Sequence, residues 1–411
     1  MQLCEATVRC GITSCSLHDH VLYLCNHSNS RWGQPGADVG IKGVRRRMGP
    51  VQFIRLCRPS HLLALAIAFA VPAMAQNSNN AQAPAKAPAA APTPNNGLPR
   101  VRFSLDGRVE GPSAMFLLPL ERGYFKAAGL QVTIDEAATP LETITRVASG
   151  NYDMGFADIN AMIKHRDQNP ATAPKAVFMV YNKPPYSIVT RKSRGITEPK
   201  QLAGKKLGAP PTGTTVGEWA LFAKLNGIDT SKVTIENIAI PVRAPMLAAG
   251  QIDAVLGFSF RVYVDLKDRG VPVDDIVLMM MADYGMKLYG NAIIVNPKFA
   301  AEKPDAVKAF LSAYLRGLKE TIRRPADAID LTIKREDVAR NAVELERLRM
   351  AIRDNILTPE VKADGFGTVD MARLEEAIAQ LALTHTFKAR PKAEDVFDGA
   401  FLPPAADRKV H

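Results

Sequence analysis

Cysteine is confined to the front of this 411-residue chain, at Cys4, Cys10, Cys15, Cys25 and Cys57. Past residue 75 there is none, which excludes a disulfide framework, a thiolate zinc site and a cysteine nucleophile there. Histidine is nearly as scarce in that stretch, with only His165, His385 and His411. Neither G-x-S-x-G nor H-E-x-x-H occurs, so two common hydrolase patterns are missing. No apolar run after residue 75 approaches the roughly 20 residues of a membrane span; residues 276–282 form a run of strand size. No basic run with interleaved aromatics points to nucleic acid. The formal charge is +11, but residues 1–75 carry eight Lys and Arg against three Asp and Glu, leaving +6 for the rest. That is a soluble surface of mixed charge.

The front of the chain reads as a leader. Arg45, Arg46, Arg47, Arg55 and Arg58 precede an unbroken apolar run at 62–71, and Ala73-Met74-Ala75 follows. This pattern predicts a secretory signal cleaved after Ala75 and delivery to the periplasm. Residues 1–47 carry no clear pattern and read as an over-extended start, with the signal at 48–75. Cys57 precedes the apolar run, so it is not placed as a lipid-anchor cysteine. Residues 76–99 are Ala, Pro, Asn and Gln almost throughout and predict a disordered linker. The folded body is then about 100–405, long enough for two cores.

Two stretches of that body share one design. Residues 147–158 read VASGNYDMGFAD and residues 247–257 read LAAGQIDAVLG, so Gly150 aligns with Gly250 and Asp153 with Asp253. In each, a helical stretch ends at a glycine, the residue that takes the left-handed position after a helix at little steric cost. An Asp then leads into a short apolar run that reads as a buried parallel strand. Open α/β sheets place ligands beyond the C-terminal ends of such strands. Two such units predict two α/β lobes facing each other across a cleft.

Around the repeats, strands are expected at 101–105, 130–134, 175–181, 187–191, 206–209, 233–238, 276–281 and 291–295. Helices are expected at 113–128, from Pro140 to Gly150, at 216–226 and at 244–249. Val307, Phe310, Leu311, Tyr314, Leu315, Leu318 and Ile322 share one face at helical spacing, and Pro325 should stop that helix.

Several motifs in order carry a family resemblance. Gly123-Tyr124-Phe125-x-x-x-Gly129-Leu130-x-Val132, Asp153-Met154-Gly155-Phe156-Ala157-Asp158, Leu202-x-Gly204-Lys205-Lys206-Leu207-Gly208, and Asp283-Tyr284-Gly285 with Tyr289-Gly290-Asn291 resemble the nitrate/sulfonate/taurine-type solute-binding proteins of bacterial ABC importers. These share a superfamily with the fungal thiamine-pyrimidine synthases. The resemblance covers about residues 100–385. It implies an α/β type II periplasmic binding fold with a helical C-terminal tail. Lobe one would be 100–189 plus 286–405 and lobe two 190–285, with a two-crossover hinge that closes on ligand. The partners would be a small molecule and the importer's permease and ATPase; the protein would be a monomer with no cofactor and no metal. The synthases use a cysteine-rich motif, which this body lacks. A sensory binding protein without its own permease is the other alternative.

Candidate ligand contacts follow from the strand ends. Asp106, Gly107, Arg108 and Glu110 follow the first strand. Gly107 stands where relatives often carry an aromatic, which removes a stacking wall. Thr139 opens a helix as its cap, and free N–H groups at that start suit an anionic head. Asp158 and Asn160 end the first repeat's strand, as ammonium-binding groups or as a helix cap. Thr212, Gly213, Thr214 and Thr215 join a strand to a helix and form the best anion cradle; the P-loop lysine is missing. Arg243 can pair with a carboxylate or sulfonate. Ser259, after the core candidate Phe258 and before Arg261, is the better contact of that segment. Asp283 and Tyr284 line the pocket or fix the hinge. The mixture of these acids with Arg108, Lys183 and Arg243 favours a zwitterion, an amine, a sulfonate or a nitrogen heterocycle over a bare oxyanion, because unpaired carboxylates facing an anion oppose binding.

Overall fold

The computed structural model describes residues 97–335 and 341–410. The expected leader, and the linker up to residue 96, lie outside the described residues.

Two five-stranded sheets carry the fold. The strands are β1 (Arg100–Ser104), β2 (Gln131–Asp135), β3 (Met154–Asp158), β4 (Lys175–Met179), β5 (Tyr186–Arg191), β6 (Lys206–Ala209), β7 (Thr234–Asn237), β8 (Ala254–Phe258), β9 (Ile276–Met280) and β10 (Asn291–Val295). Their orders are β2-β1-β3-β10-β4 and β7-β6-β8-β5-β9. The sheets match: β1 lies parallel between β2 and β3, and β6 parallel between β7 and β8. Each sheet has one strand antiparallel to both neighbours, β10 in the first and β5 in the second. These two are the strands that follow a crossing from the other sheet. The chain crosses at 180–185 and again at 285–290. Because β5 pairs with β8 and β9, the expected lobe boundary at 189–190 moves forward to the first of these crossings.

The repeat has a structural cause. Gly150 and Gly250 both take the left-handed conformation, at φ 76° and 71°. Asp153 Oδ2 accepts from the Arg102 N–H at 2.7 Å and its own N–H donates to the Arg102 carbonyl at 3.0 Å. Asp253 repeats this on Lys206, at 2.9 Å in both directions. Each aspartate thus satisfies a backbone donor beside the central strand pair of its sheet and holds that pair in register.

Helices fill the faces: α1 (Ala114–Glu121), α2 (Pro140–Ala148), α3 (Ile159–Gln168), α4 (Ile240–Ala248), α5 (Ser259–Asp268), α6 (Pro304–Arg323), α7 (Asn341–Ala351) and α8 (Met371–Leu381). The expected helix 113–128 is broken. Gly123 turns left-handed at φ 69°, and a separate turn, Tyr124–Ala127, follows. Tyr124 is held there by Glu320, which accepts from its hydroxyl, and by Arg316, 3.9 Å over its ring. The apolar face of α6 is buried as expected, with Ile322 half-buried at its end. Its rings Phe310 and Tyr314 stack on Phe103, Phe125 and Phe116 at 4.8–5.2 Å. Gly317 passes over Pro119, where a Cβ would lie 2.6 Å from the proline ring. Pro325 ends this helix and opens the next, Pro325–Arg335.

The tail does not belong to lobe one alone. On α7, Arg347 pairs with Asp265 at 2.5 Å and Glu346 with Lys267 at 2.7 Å, both partners on α5 of the second lobe. The same helix meets the first lobe, where Glu344 Oε2 accepts from the Gly111 N–H at 2.5 Å.

Candidate functional site

A cavity of about 540 Å³ lies where the two sheets face each other. Three segments build it. The first lobe supplies Asp106–Glu110 after β1 and Thr139–Pro140 at the start of α2. The second supplies Pro210 and Thr212–Val216 after β6, Ile240, Pro241 and Arg243 from α4, Leu256–Phe258 from β8, and Arg261 and Asp265 from α5. The tail supplies Val343, Glu344 and Arg347. Most lining loops follow the C-terminal ends of parallel strands, where α/β sheets bind ligands.

The charges are unevenly matched. Arg261 reaches across from lobe two to Glu110 of lobe one, with Nε and Nη2 both 2.8 Å from Oε2. Arg347 is neutralised by Asp265 and Glu344. Arg243 is only 3% exposed, yet no carboxylate among the described residues pairs with it. Its Nη1 donates to the Leu256 carbonyl at 2.5 Å, while its buried Nε has no partner. Its head lies over Gly257, where any Cβ would overlap the guanidinium. Burial, with Arg261 nearby, pulls its pKa down to about 10, so it remains a cation at neutral pH. Asp265 and Glu110 favour its charge only from a distance, and a buried cation with no carboxylate in direct contact is costly.

On the other lobe Asp106 accepts from Asn291 Nδ2 at 2.8 Å. Burial pushes its carboxyl up to about 6, with Arg261 opposing and Glu110 adding to the rise. Near pH 7 it is mostly ionised and takes donors only. Between these poles the walls are largely apolar, from Val109, Pro140, Pro210, Val216, Leu256 and Phe258.

Of the expected contacts, Asp106, Gly107, Arg108, Glu110, Thr139, Thr212, Gly213, Thr214, Thr215 and Arg243 line this cavity. Thr139 also caps α2, its hydroxyl accepting from the Glu142 N–H at 3.3 Å. Asp158, Asn160, Ser259, Asp283 and Tyr284 do not line it. Asp158 is buried, caps α3 by accepting from the Ala161 N–H at 2.8 Å, and accepts from the Tyr186 hydroxyl. Asn160 donates to Tyr186 Oη at 2.9 Å and to the Tyr289 carbonyl at 2.7 Å. Both sit beneath the crossings, which close over the ends of β3 and β8: the Ile159 N–H donates to the Gly290 carbonyl at 3.2 Å and the Ser259 N–H to the Pro185 carbonyl at 2.8 Å. Ser259 is fully buried for the same reason. Asp283 pairs with Lys183 at 2.5 Å, and Tyr284 packs edge-on to Phe222 at 6.1 Å; both belong to the crossing region. Phe258 and Arg261, passed over in favour of Ser259, do line the cavity. So do Val343, Glu344 and Arg347, which no local signal marks.

Two lobes of matching topology, two crossings and a cleft between them define the type II fold of periplasmic binding proteins. The chain belongs to the NMT1/THI5-like family, which matches residues 112–328. It is 25% identical over 310 residues to the formylaminopyrimidine-binding protein of Halalkalibacterium halodurans, covering 74% of this chain and 91% of that one. It is 26% identical over 228 residues to the riboflavin-binding protein RibY of Chloroflexus aurantiacus, covering 54% of this chain and 62% of that protein. It is also 27% identical over 219 residues to the 4-amino-5-hydroxymethyl-2-methylpyrimidine phosphate synthase of Schizosaccharomyces pombe, covering 50% of this chain and 60% of that enzyme. The match thus spans less than two thirds of the length of the last two. Among solved structures, the aliphatic sulphonate binding protein SsuA of Escherichia coli superposes with a TM-score of 0.57 at 12% identity, covering 76% of this chain and 92% of that one. The nitrate-binding protein NrtA of Synechocystis gives 0.56 at 10%, covering 74% and 87%.

Proposed function

We propose that this is a periplasmic solute-binding protein that captures a small polar organic solute containing nitrogen or sulfur by closing two lobes around it, and delivers it to an ABC importer. The observation that carries the reading is Arg243, a buried cation in the wall of a two-lobe cavity, which no carboxylate among the described residues contacts directly. A carboxylate or sulfonate on the solute would supply that contact through charge-assisted hydrogen bonds. Asp106 on the opposite lobe would take an N–H or ammonium donor, so a solute carrying both groups is gripped by both lobes and rewards closure. A cavity of this size falls in the roughly 300–1,000 Å³ range of organic ligand sites, which favours an organic molecule over a bare oxyanion.

The likeness to the pyrimidine phosphate synthase raises an enzyme as the other reading. Among the described residues the cavity lining holds no cysteine, histidine or lysine, the side chains that most often act as nucleophile, proton shuttle or Schiff base. That favours capture over conversion.

A thermal-shift screen of the protein tests the proposal, with taurine, alkanesulfonates, nitrate, aminopyrimidines, amino acids, aromatic acids and polyamines. Compounds with both an acid and a nitrogen donor are expected to give a saturable shift, worth about 2.7 kcal/mol at a hundredfold excess over Kd. In Arg243→Gln the same compounds should lose about 2–5 kcal/mol of binding. A shift confined to polyamines or neutral compounds, or an undiminished response in Arg243→Gln, would overturn the ligand polarity. A flat panel would count against solute capture itself.

A further inference from the structure

The two crossings run side by side in backbone contact. The Gly290 N–H donates to the Tyr181 carbonyl at 2.9 Å, and the Val180 and Tyr181 N–H groups both donate to the Asn291 carbonyl, at 3.1 and 2.9 Å. A Cβ on Gly290 would lie 2.9 Å from Tyr181 Cβ and 3.0 Å from Pro184 Cα, so only glycine permits this approach.

The tail grips both strands from outside. Arg373, on α8, donates from Nη2 to the Asn182 carbonyl of the first crossing and to the Leu288 carbonyl of the second, each at 2.9 Å. Its Nε donates to the Lys287 carbonyl at 3.1 Å. Its Nη1 meets Glu360 Oε2 at 2.7 Å, and its guanidinium lies 3.8 Å over the Tyr289 ring. Glu360 Oε1 in turn accepts from Asn182 Nδ2 at 2.7 Å and from Tyr289 Oη at 2.6 Å. Asn355 and Lys183 exchange hydrogen bonds at 3.0 and 3.1 Å.

Hinge motion is absorbed by backbone rotation in a few connecting residues. A planar guanidinium bonded to carbonyls on both connectors fixes their separation, which a single-point ammonium cannot do. We propose that Arg373 clamps the hinge: it holds the two crossings as one unit, so the lobes turn about a single line and the halves of the cavity meet in register. This makes Arg373 a positioning residue, remote from the solute, and it rests on the closure reading above.

Hydrogen exchange read by mass spectrometry on the full chain tests this without any solute, so a flat solute screen leaves it standing and its failure leaves solute capture standing. In Arg373→Met, peptides spanning 180–186 and 287–292 should exchange faster by on the order of tenfold, as expected for losing a charge-assisted hydrogen bond. Peptides of β1 and β8 should keep their wild-type rates, and solution scattering should show a larger maximum dimension. Arg373→Lys keeps the charge beside Glu360 and should loosen the crossings as well. Unchanged exchange at the crossings would overturn the clamp. So would an even loss of protection through both sheets, which would make Arg373 a general stability residue, or full rescue by Arg373→Lys, which would show that charge alone suffices.

Discussion

Arg347→Met is expected to lower the unfolding free energy by about 3–5 kcal/mol, the cost of breaking a buried ion pair from one side. The arginine serves two carboxylates. Asp265 lies 2.5 Å from Nη2, and Glu344 pairs with Nη1. Glu344 is only 5% exposed and also holds the Gly111 N–H. Burial already pushes its carboxyl up, and Arg347 opposes that rise; removing the arginine leaves a buried carboxylate without its partner cation. Because this network joins the β1 loop, the tail and α5, the loss should appear in chemical denaturation as a lower midpoint. The double variant Arg347→Met/Glu344→Gln should recover part of it, since the two sites couple. A loss under about 1 kcal/mol would mark the pair as an ordinary surface contact.

Asp158→Asn is expected to change the pH dependence of stability. Burial pushes the Asp158 carboxyl up to about 7, against the hydrogen bonds from Tyr186 and Ala161, whereas an unfolded Asp titrates near 3.9. Between about pH 4 and 7 the folded state therefore holds a proton that the unfolded state has released. Stability falls as pH rises through that window and levels off above it. The asparagine carries no titrating proton. Its stability relative to wild type should rise by about 3 kcal/mol between pH 4.5 and pH 8, measured by urea unfolding at each pH. Asp106 has the same sign, with a carboxyl raised to about 6, but it is present in both proteins and cancels in the difference. A difference that stays flat with pH would mean that Asp158 is ionised in the fold throughout.

The sequence made the architecture legible through local signals. Gly150 and Gly250 had to end helices, and Asp153 and Asp253 stood at one offset from them. The structure gives that offset a cause in the two aspartates that grip β1 and β6. The loops at Asp106–Glu110 and Thr212–Thr215 were legible because a strand followed by a polar loop marks the ligand edge of an α/β sheet. Asp158, Asn160 and Ser259 obey the same local rule and are nonetheless covered. What covers them is the two crossings, whose Gly290 and Pro185 carbonyls accept from Ile159 and Ser259. The third wall of the cavity was invisible for a similar reason. Val343, Glu344 and Arg347 reach the β1 loop only through packing across more than two hundred residues. Tail residues Glu360 and Arg373 likewise meet the crossings only in three dimensions.

The most direct test of solute capture is native mass spectrometry of the protein mixed with a compound that shifts its melting temperature, followed by release and weighing of that compound. The account predicts one molecule bound per chain and recovered with its mass unchanged, and no such complex in Arg243→Gln. Recovery of a compound of altered mass, or an equal complex in Arg243→Gln, would contradict it and turn the reading toward an enzyme or toward a different site.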